Sequence, residues 1–145
     1  MLAIGGRYIV SGWVLLSILR QVHRCRLPIE IWYLGDNDLP PHVRTLFERF
    51  DVEFVDACRD QRIAGPRPST GWELKAFAIV LSRFAEIVYL DADNIPLTDP
   101  AALFDEPRYR TTGALFWPDI RVTNRFNPIW SIVGTPAPDG PEFES

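Results

Sequence analysis

Residues 87–90, Ile-Val-Tyr-Leu, form an apolar run that ends abruptly in Asp91, Ala92, Asp93 and Asn94. A short continuous apolar run bounded by polar residues reads as a strand buried on both faces of a mostly parallel sheet. Pro96 stops its continuation, because proline cannot donate to a central ladder. In open α/β sheets, ligands sit in the crevice beyond the carboxyl ends of the strands. Two carboxylates leaving a buried strand at that edge suit a hard divalent cation. Mg²⁺ or Mn²⁺ commonly reaches a protein through one or two carboxylates plus substrate phosphates. Asp91 and Asp93 therefore suggest metal-bridged binding of a nucleotide diphosphate.

The rest of the chain reads as strands and helices alternating ahead of that motif. Residues 2–4 predict a first strand, turned by Gly5-Gly6. Those glycines either make a simple tight turn or let backbone approach a ligand, with Arg7 near a phosphate. Trp13, Leu15, Leu16, Leu19 and Val22 recur at helical spacing, predicting an amphipathic helix over 12–23 with His23 facing solvent. Residues 29–34 predict a second strand ending in Gly35-Asp36-Asn37-Asp38, an acidic turn that is either solvated or in contact with a ribose or base. Pro40-Pro41 opens a helix through Phe50, since proline at the first helical turn loses no intrahelical donor. Its apolar face is Val43, Leu46, Phe47 and Phe50.

Residues 52–55 alternate as a third strand. The polar stretch 59–71 is long enough for a functional lid or a disordered loop. Residues 72–84 predict a helix with Leu74, Phe77, Ala78, Leu81 and Phe84 as its apolar stripe. Lys75 lies off that stripe near the helix start, the end that favours anions. It is the only lysine in a chain that otherwise uses arginine. Solvated surface and diphosphate contact are both open to it. Asp99-Pro100 caps a single helical turn, and residues 112–117 predict a further strand. Residues 120–145 show no periodicity.

With 145 residues and 47% apolar composition, the chain has the size of one domain with a real core. A net charge of −4 leaves no basic stripe for a general nucleic-acid binder. Cys25 and Cys58 have neither metal-type nor disulfide-framework spacing and read as small packing thiols. Residues 8–19 are too short and too closely bounded by Arg7 and Arg20 to span a membrane.

Several segments together resemble a known family. They are Gly71-Trp72-Glu73-Leu74-Lys75-Ala76-Phe77-Ala78, Tyr89-Leu90-Asp91-Ala92-Asp93-Asn94-Ile95-Pro96-Leu97, Asp99-Pro100, Leu103-Phe104-Asp105, and Thr112-Gly113-Ala114-Leu115-Phe116-Trp117-Pro118-Asp119. Gly5-Gly6-Arg7-Tyr8 and Leu27-Pro28-Ile29-Glu30-Ile31-Trp32-Tyr33-Leu34-Gly35 add to the likeness. The pattern is similar to the fungal α-mannosyltransferases of glycosyltransferase family 71. The resemblance implies an α/β GT-A (Rossmann-like) nucleotide-diphospho-sugar transferase fold, with a mostly parallel sheet flanked by helices and incomplete at the C-terminus. It implies one donor-binding domain over 1–145. Residues 1–119 would be its well-defined α/β part, and 120–145 an irregular start to a missing acceptor-side half.

The implied reaction moves mannose from GDP-mannose to a mannosyl or other glycan acceptor, with retention and Mn²⁺ or Mg²⁺. Asp91 and Asp93 would be its metal and diphosphate acids, with Lys75 on the donor side and counted with them as catalytic. Gly5, Gly6, Tyr8, Lys75, Asp91, Ala92 and Asp93 would line the nucleotide. Trp117 and Asp119 would face the sugar. The related enzymes often use a further histidine ligand from their carboxyl half, whereas His23 and His42 lie upstream of the acids. Relatives also carry an anchor and stem, so the chain reads as shortened at both ends, from a longer Golgi protein, with no membrane segment of its own and no nucleic-acid partner. Two other readings use the same residues: transfer from a UDP-hexose, and a non-catalytic nucleotide-sugar-binding fragment.

Overall fold

The computed structural model describes residues 1–117, 124–137 and 139. The chain divides into two compact units, Met1–Glu106 and Pro107–Ser145.

The first unit is a parallel four-stranded sheet with helices, the Rossmann-like α/β arrangement of a GT-A fold. Its elements run β1 (Leu2–Ala3), α1 (Ile9–Ser17), β2 (Ile29–Tyr33), α2 (Pro41–Phe47), β3 (Val52–Asp56), α3 (Gly71–Leu81) and β4 (Leu90–Asp91). The order across the sheet is β3-β2-β1-β4, and every pairing is parallel. From β1 the chain winds outward through β2 and β3, then returns to place β4 on the other side of β1. The order therefore reverses between β1 and β4, the kind of position where doubly wound sheets open a ligand crevice.

The strands differ in how they earn their places. All five residues of β2 are buried, as expected of a strand with neighbours on both edges and helices on both faces. Among the described residues Glu30, at 2% exposure, is the exception to an apolar interior. Its carboxylate accepts from Trp32 Nε1 at 3.0 Å and from Ser82 Oγ at 2.9 Å, which satisfies a charge that burial would otherwise penalise. By contrast β4 has only two residues, both half-buried, and is an edge strand among the described residues. The expected strand over 87–90, buried on both faces, is corrected. With a neighbour on one side only, the ladder covers Leu90 and Asp91 and no more.

Two apolar clusters hold the layers together. One packs Leu15, Leu16 and Leu19 of the first helix and Phe47 and Phe50 against Leu2, Ile29 and Ile31. The other sets Leu74 and Ala78 of α3 against Met1 and Trp32. Gly12 lets α1 sit close to the sheet, since a Cβ there would fall 2.6 Å from Ile4 Cδ1.

The helix expected over 12–23 starts earlier, at Ile9, and its last turn, Ile18–Val22, widens to π geometry. His23 is no free surface residue. Its Nε2 donates to the Pro96 carbonyl at 2.8 Å, beyond the acidic segment. After α2 the chain tightens into a 3₁₀ turn at Glu48–Phe50, burying Phe47 and Phe50 and leaving Leu46 exposed. The polar stretch 59–71 is tied to the first unit at two points. Arg67 donates to the carbonyls of Ala57 and Asp60, and Ile63 is buried. The third helix stops at Ser82, whose ψ of 147° is extended, so Phe84 lies beyond it. Cys25 is buried, Cys58 is exposed, and both are free thiols.

The second unit contains α4 (Pro107–Thr112) and α5 (Ile129–Val133). The strand expected over 112–117 is not formed. Thr112 ends α4, and Gly113 follows at φ +74°, its N–H donating to the Tyr109 carbonyl at 2.7 Å. No described helix is long and apolar enough to cross a membrane.

Candidate functional site

The ends of β1 and β4 open into a cavity of about 330 Å³. Gly5, Gly6 and Tyr8 line it from the β1 side, and Asp91, Ala92 and Asp93 from the β4 side. Trp72 and Lys75 enter from the start of α3, and Asp38 from the turn after β2. Every residue expected to hold metal or nucleotide thus shares one cavity at the point where the strand order reverses. A larger cavity, about 560 Å³, lies against Leu19, Phe84, Val88 and Phe104 and contains none of them.

The β1 wall is built by close approach. A Cβ on Gly5 would fall 2.1 Å from Asp38 Oδ2, so glycine alone fits there without displacing that carboxylate. The carboxylate is itself fixed, accepting from the Leu34 N–H at 2.9 Å, while the Asp38 carbonyl accepts from the Gly6 N–H at 2.8 Å. Gly6 takes φ +51°, in the left-handed region that glycine enters readily. Asp38 was read only as one of an acidic turn; it braces the glycine turn and lines the cavity. Its neighbour Asp36 pairs instead with Arg44 and Arg59, and hydrogen bonds from those guanidinium groups hold its carboxyl below the usual range. The Arg7 guanidinium lies against the Tyr8 hydroxyl at 2.7 Å.

On the β4 wall the backbone turns at once, with the Asn94 N–H donating to the Asp91 carbonyl at 3.0 Å. Ala92 is buried, and the acids on either side of it are accessible. The Asp91 carboxylate forms an ion pair with Lys75 Nζ. That ammonium also lies 4.5 Å from the centre of the Trp72 ring and 5.9 Å from that of Tyr89. Asp93 is exposed and pairs with no described residue. Burial, and then the charge of Asp91, push the Tyr89 phenol well above its ordinary value, so it stays protonated at neutral pH.

Lys75 and Trp72 are presented by a well-capped helix. Thr70 Oγ1 accepts from the Glu73 N–H at 3.4 Å, and Glu73 Oε2 accepts from the Ser69 N–H at 2.7 Å. This reciprocal arrangement resembles a capping box. Trp72 is 81% exposed, an unusual state for so large an apolar side chain.

The donor set fits a shared cation. Among the described residues no three His, Cys, Asp or Glu side chains gather as a metal cage. Two accessible carboxylates suffice for Mg²⁺ or Mn²⁺ when substrate phosphates complete the shell. Trp117, 68% exposed, belongs to the second unit, and Asp119 lies outside the described residues.

Comparison with known proteins bears on this geometry. No solved structure matches the chain. An alpha-1,2-mannosyltransferase of Candida albicans is 30% identical over 128 residues, covering 80% of this chain and 16% of the relative. A second Candida albicans alpha-1,2-mannosyltransferase is 25% identical over 142 residues, covering 91% and 22%. An alpha-1,2-mannosyltransferase of Saccharomyces cerevisiae is 29% identical over 125 residues, covering 82% and 21%. The chain thus spans about a fifth of the length of these relatives. Residues 1–135 match the family model described as "Mannosyltransferase putative", a span containing both walls of the cavity. The sheet, its reversal point and the acids beside it are therefore those of a member of this mannosyltransferase family.

Proposed function

We propose that this chain forms the donor-binding side of a mannosyltransferase that moves mannose from GDP-mannose to a glycan acceptor with retention. The observation that carries the reading is the convergence of Asp91, Asp93, Lys75 and the Gly5-Gly6 turn on one cavity at the sheet's reversal point. The alpha-1,2-mannosyltransferase relatives support mannose as the sugar. The parent protein would work in the Golgi on mannosylated glycans.

Asp91 and Asp93 would hold Mn²⁺ or Mg²⁺ together with the donor's diphosphate. Such a cation supplies positive charge for the leaving nucleotide diphosphate, on which negative charge builds as the glycosidic bond breaks. The chain's own residues do the rest. The Gly5-Gly6 turn, packed against Asp38, would present its backbone to the nucleotide from the β1 wall. Lys75 offers a flexible ammonium within the same cavity, and protonated Tyr89 a neutral wall behind it.

Calorimetric titration with GDP-mannose, with and without Mn²⁺ and against UDP-glucose, tests the proposal. Metal-dependent binding selective for GDP-mannose is the expected result. Preference for UDP-glucose would transfer the reading to a UDP-hexose enzyme, and no binding of either donor would leave a non-catalytic fragment. Asp93→Asn is expected to lose the Mn²⁺-dependent part of donor affinity while keeping the far-UV circular dichroism of the wild type. An unchanged Mn²⁺ effect would remove Asp93 from the site.

A further inference from the structure

We propose that Lys75 is a tethered counter-ion that competes with the divalent cation for Asp91, making cation binding depend on the donor's diphosphate. The inference rests on the reading of Asp91 and Asp93 as the cation-holding acids.

Three observations lead to it. The Lys75 ammonium already forms an ion pair with Asp91, the acid nearer the sheet, while Asp93 two residues on has no described partner. The ammonium is held at that spot by more than the carboxylate, since it lies over the Trp72 ring at 4.5 Å and near the Tyr89 ring at 5.9 Å. Cation–π attraction adds to the ion pair there. Finally, the pair is only partly exposed, at 29% for the Lys75 side chain and 44% for that of Asp91, so water screens it incompletely.

A divalent ion on the Asp91 oxygens would meet this ammonium as a like charge. The lysine stem is long and freely rotating, so the ammonium can swing away. Moving it costs the Asp91 pair and the contact with Trp72 unless another anion receives it. A diphosphate entering the same cavity is that anion. Without a donor, Lys75 therefore opposes the cation; with one, it leaves Asp91 for the phosphates, whose negative charge outweighs its remaining repulsion of the cation. Cation and donor then each raise the other's affinity by the same factor, as linkage requires.

The test is Mn²⁺ binding to the nucleotide-free chain, followed by loss of the free-ion electron paramagnetic resonance signal. Lys75→Met keeps the stem and removes the charge. It is expected to bind Mn²⁺ about tenfold more tightly than wild type, the order anticipated for removing one charge about 5 Å from a divalent ion in a water-exposed site. Lys75→Arg retains the charge and is expected to bind as weakly as wild type. With GDP present, the gain in Mn²⁺ affinity over free GDP is expected in the wild type and smaller in Lys75→Met. Equal or weaker nucleotide-free binding by Lys75→Met, with binding lost in Asp91→Asn, overturns the competition alone. Binding that persists in Asp91→Asn, or is absent from both wild type and Lys75→Met, overturns the cation site and the competition together.

Discussion

Arg20 donates from its guanidinium to four backbone carbonyls, those of Phe50 at 2.8 Å, Asp51 at 3.0 Å, Cys25 at 2.6 Å and Leu27 at 2.9 Å. It ties the end of the first helix to the turn before β3 and to the approach to β2. A planar group with five fixed donors can serve four acceptors at once, and a lysine ammonium with three cannot. Arg20→Lys is therefore expected to destabilise the fold by about 1 kcal/mol, since the carbonyls left without donors are partly buried or, at Asp51, exposed to water. A lowered urea midpoint with an unchanged slope would show it. Nothing in the residue spacing marks Arg20, because contacts to carbonyls leave no pattern in the side chains they join. Lys75 was legible for the opposite reason: it is the sole lysine, near a helix start and ahead of two acids. The glycine turn was legible only as a choice between two readings, and Asp38 pressed against Gly5 shows why glycine is needed.

At the scale of elements, the start of α3 is where the candidate site and stability meet. Hydrogen bonds from the Ser69 N–H and hydroxyl hold the Glu73 carboxyl below its ordinary value of 4.5. A carboxyl lowered in the folded state stabilises fully above its unfolded value and loses that contribution as pH falls through the folded one. Glu73→Gln is thus expected to be less stable than wild type at neutral pH, with the difference in urea midpoint shrinking as pH drops below about 4.5. A constant difference down to pH 3 would separate the cap from the charge. The helix itself was readable from its apolar stripe, although its end was not: Ser82 turns away to reach Glu30, a partner 52 residues earlier. Leu46 was misplaced because periodicity assumes one helical pitch, and the 3₁₀ turn at Glu48–Phe50 rotates the face. The fourth helix, Pro107–Thr112, was not expected, although Pro107 at its start and Gly113 just past its end mark it.

The whole sheet is uneven in strength. The second and third strands pair over five residues, Ile29↔Val52 to Tyr33↔Asp56, whereas β1 meets β4 over only two, Leu2↔Leu90 and Ala3↔Asp91. The order of elements, and with it the parallel sheet, followed from alternating strand and helix patterns. The shortness of β4 did not, since an apolar run shows what wants burial and not how many neighbours it will find. The amide of Leu90, bonded to the Met1 carbonyl at 3.1 Å, is expected to exchange with deuterium faster than those of β2, measured by native-state hydrogen exchange. Equal protection would mean the sheet opens only as a unit.

That same two-residue seam would give a bound donor a second consequence. The crevice is bounded by two chain segments almost ninety residues apart, joined by very few ladder bonds, and closing so long a loop returns little for the entropy lost. Assembly of this seam would come late in folding, and its parting would come early in any excursion from the native state. A ligand gripping both Gly5-Gly6 and the acids spans the seam as a rivet spans two plates. Its occupancy would set how long the two halves of the crevice stay closed.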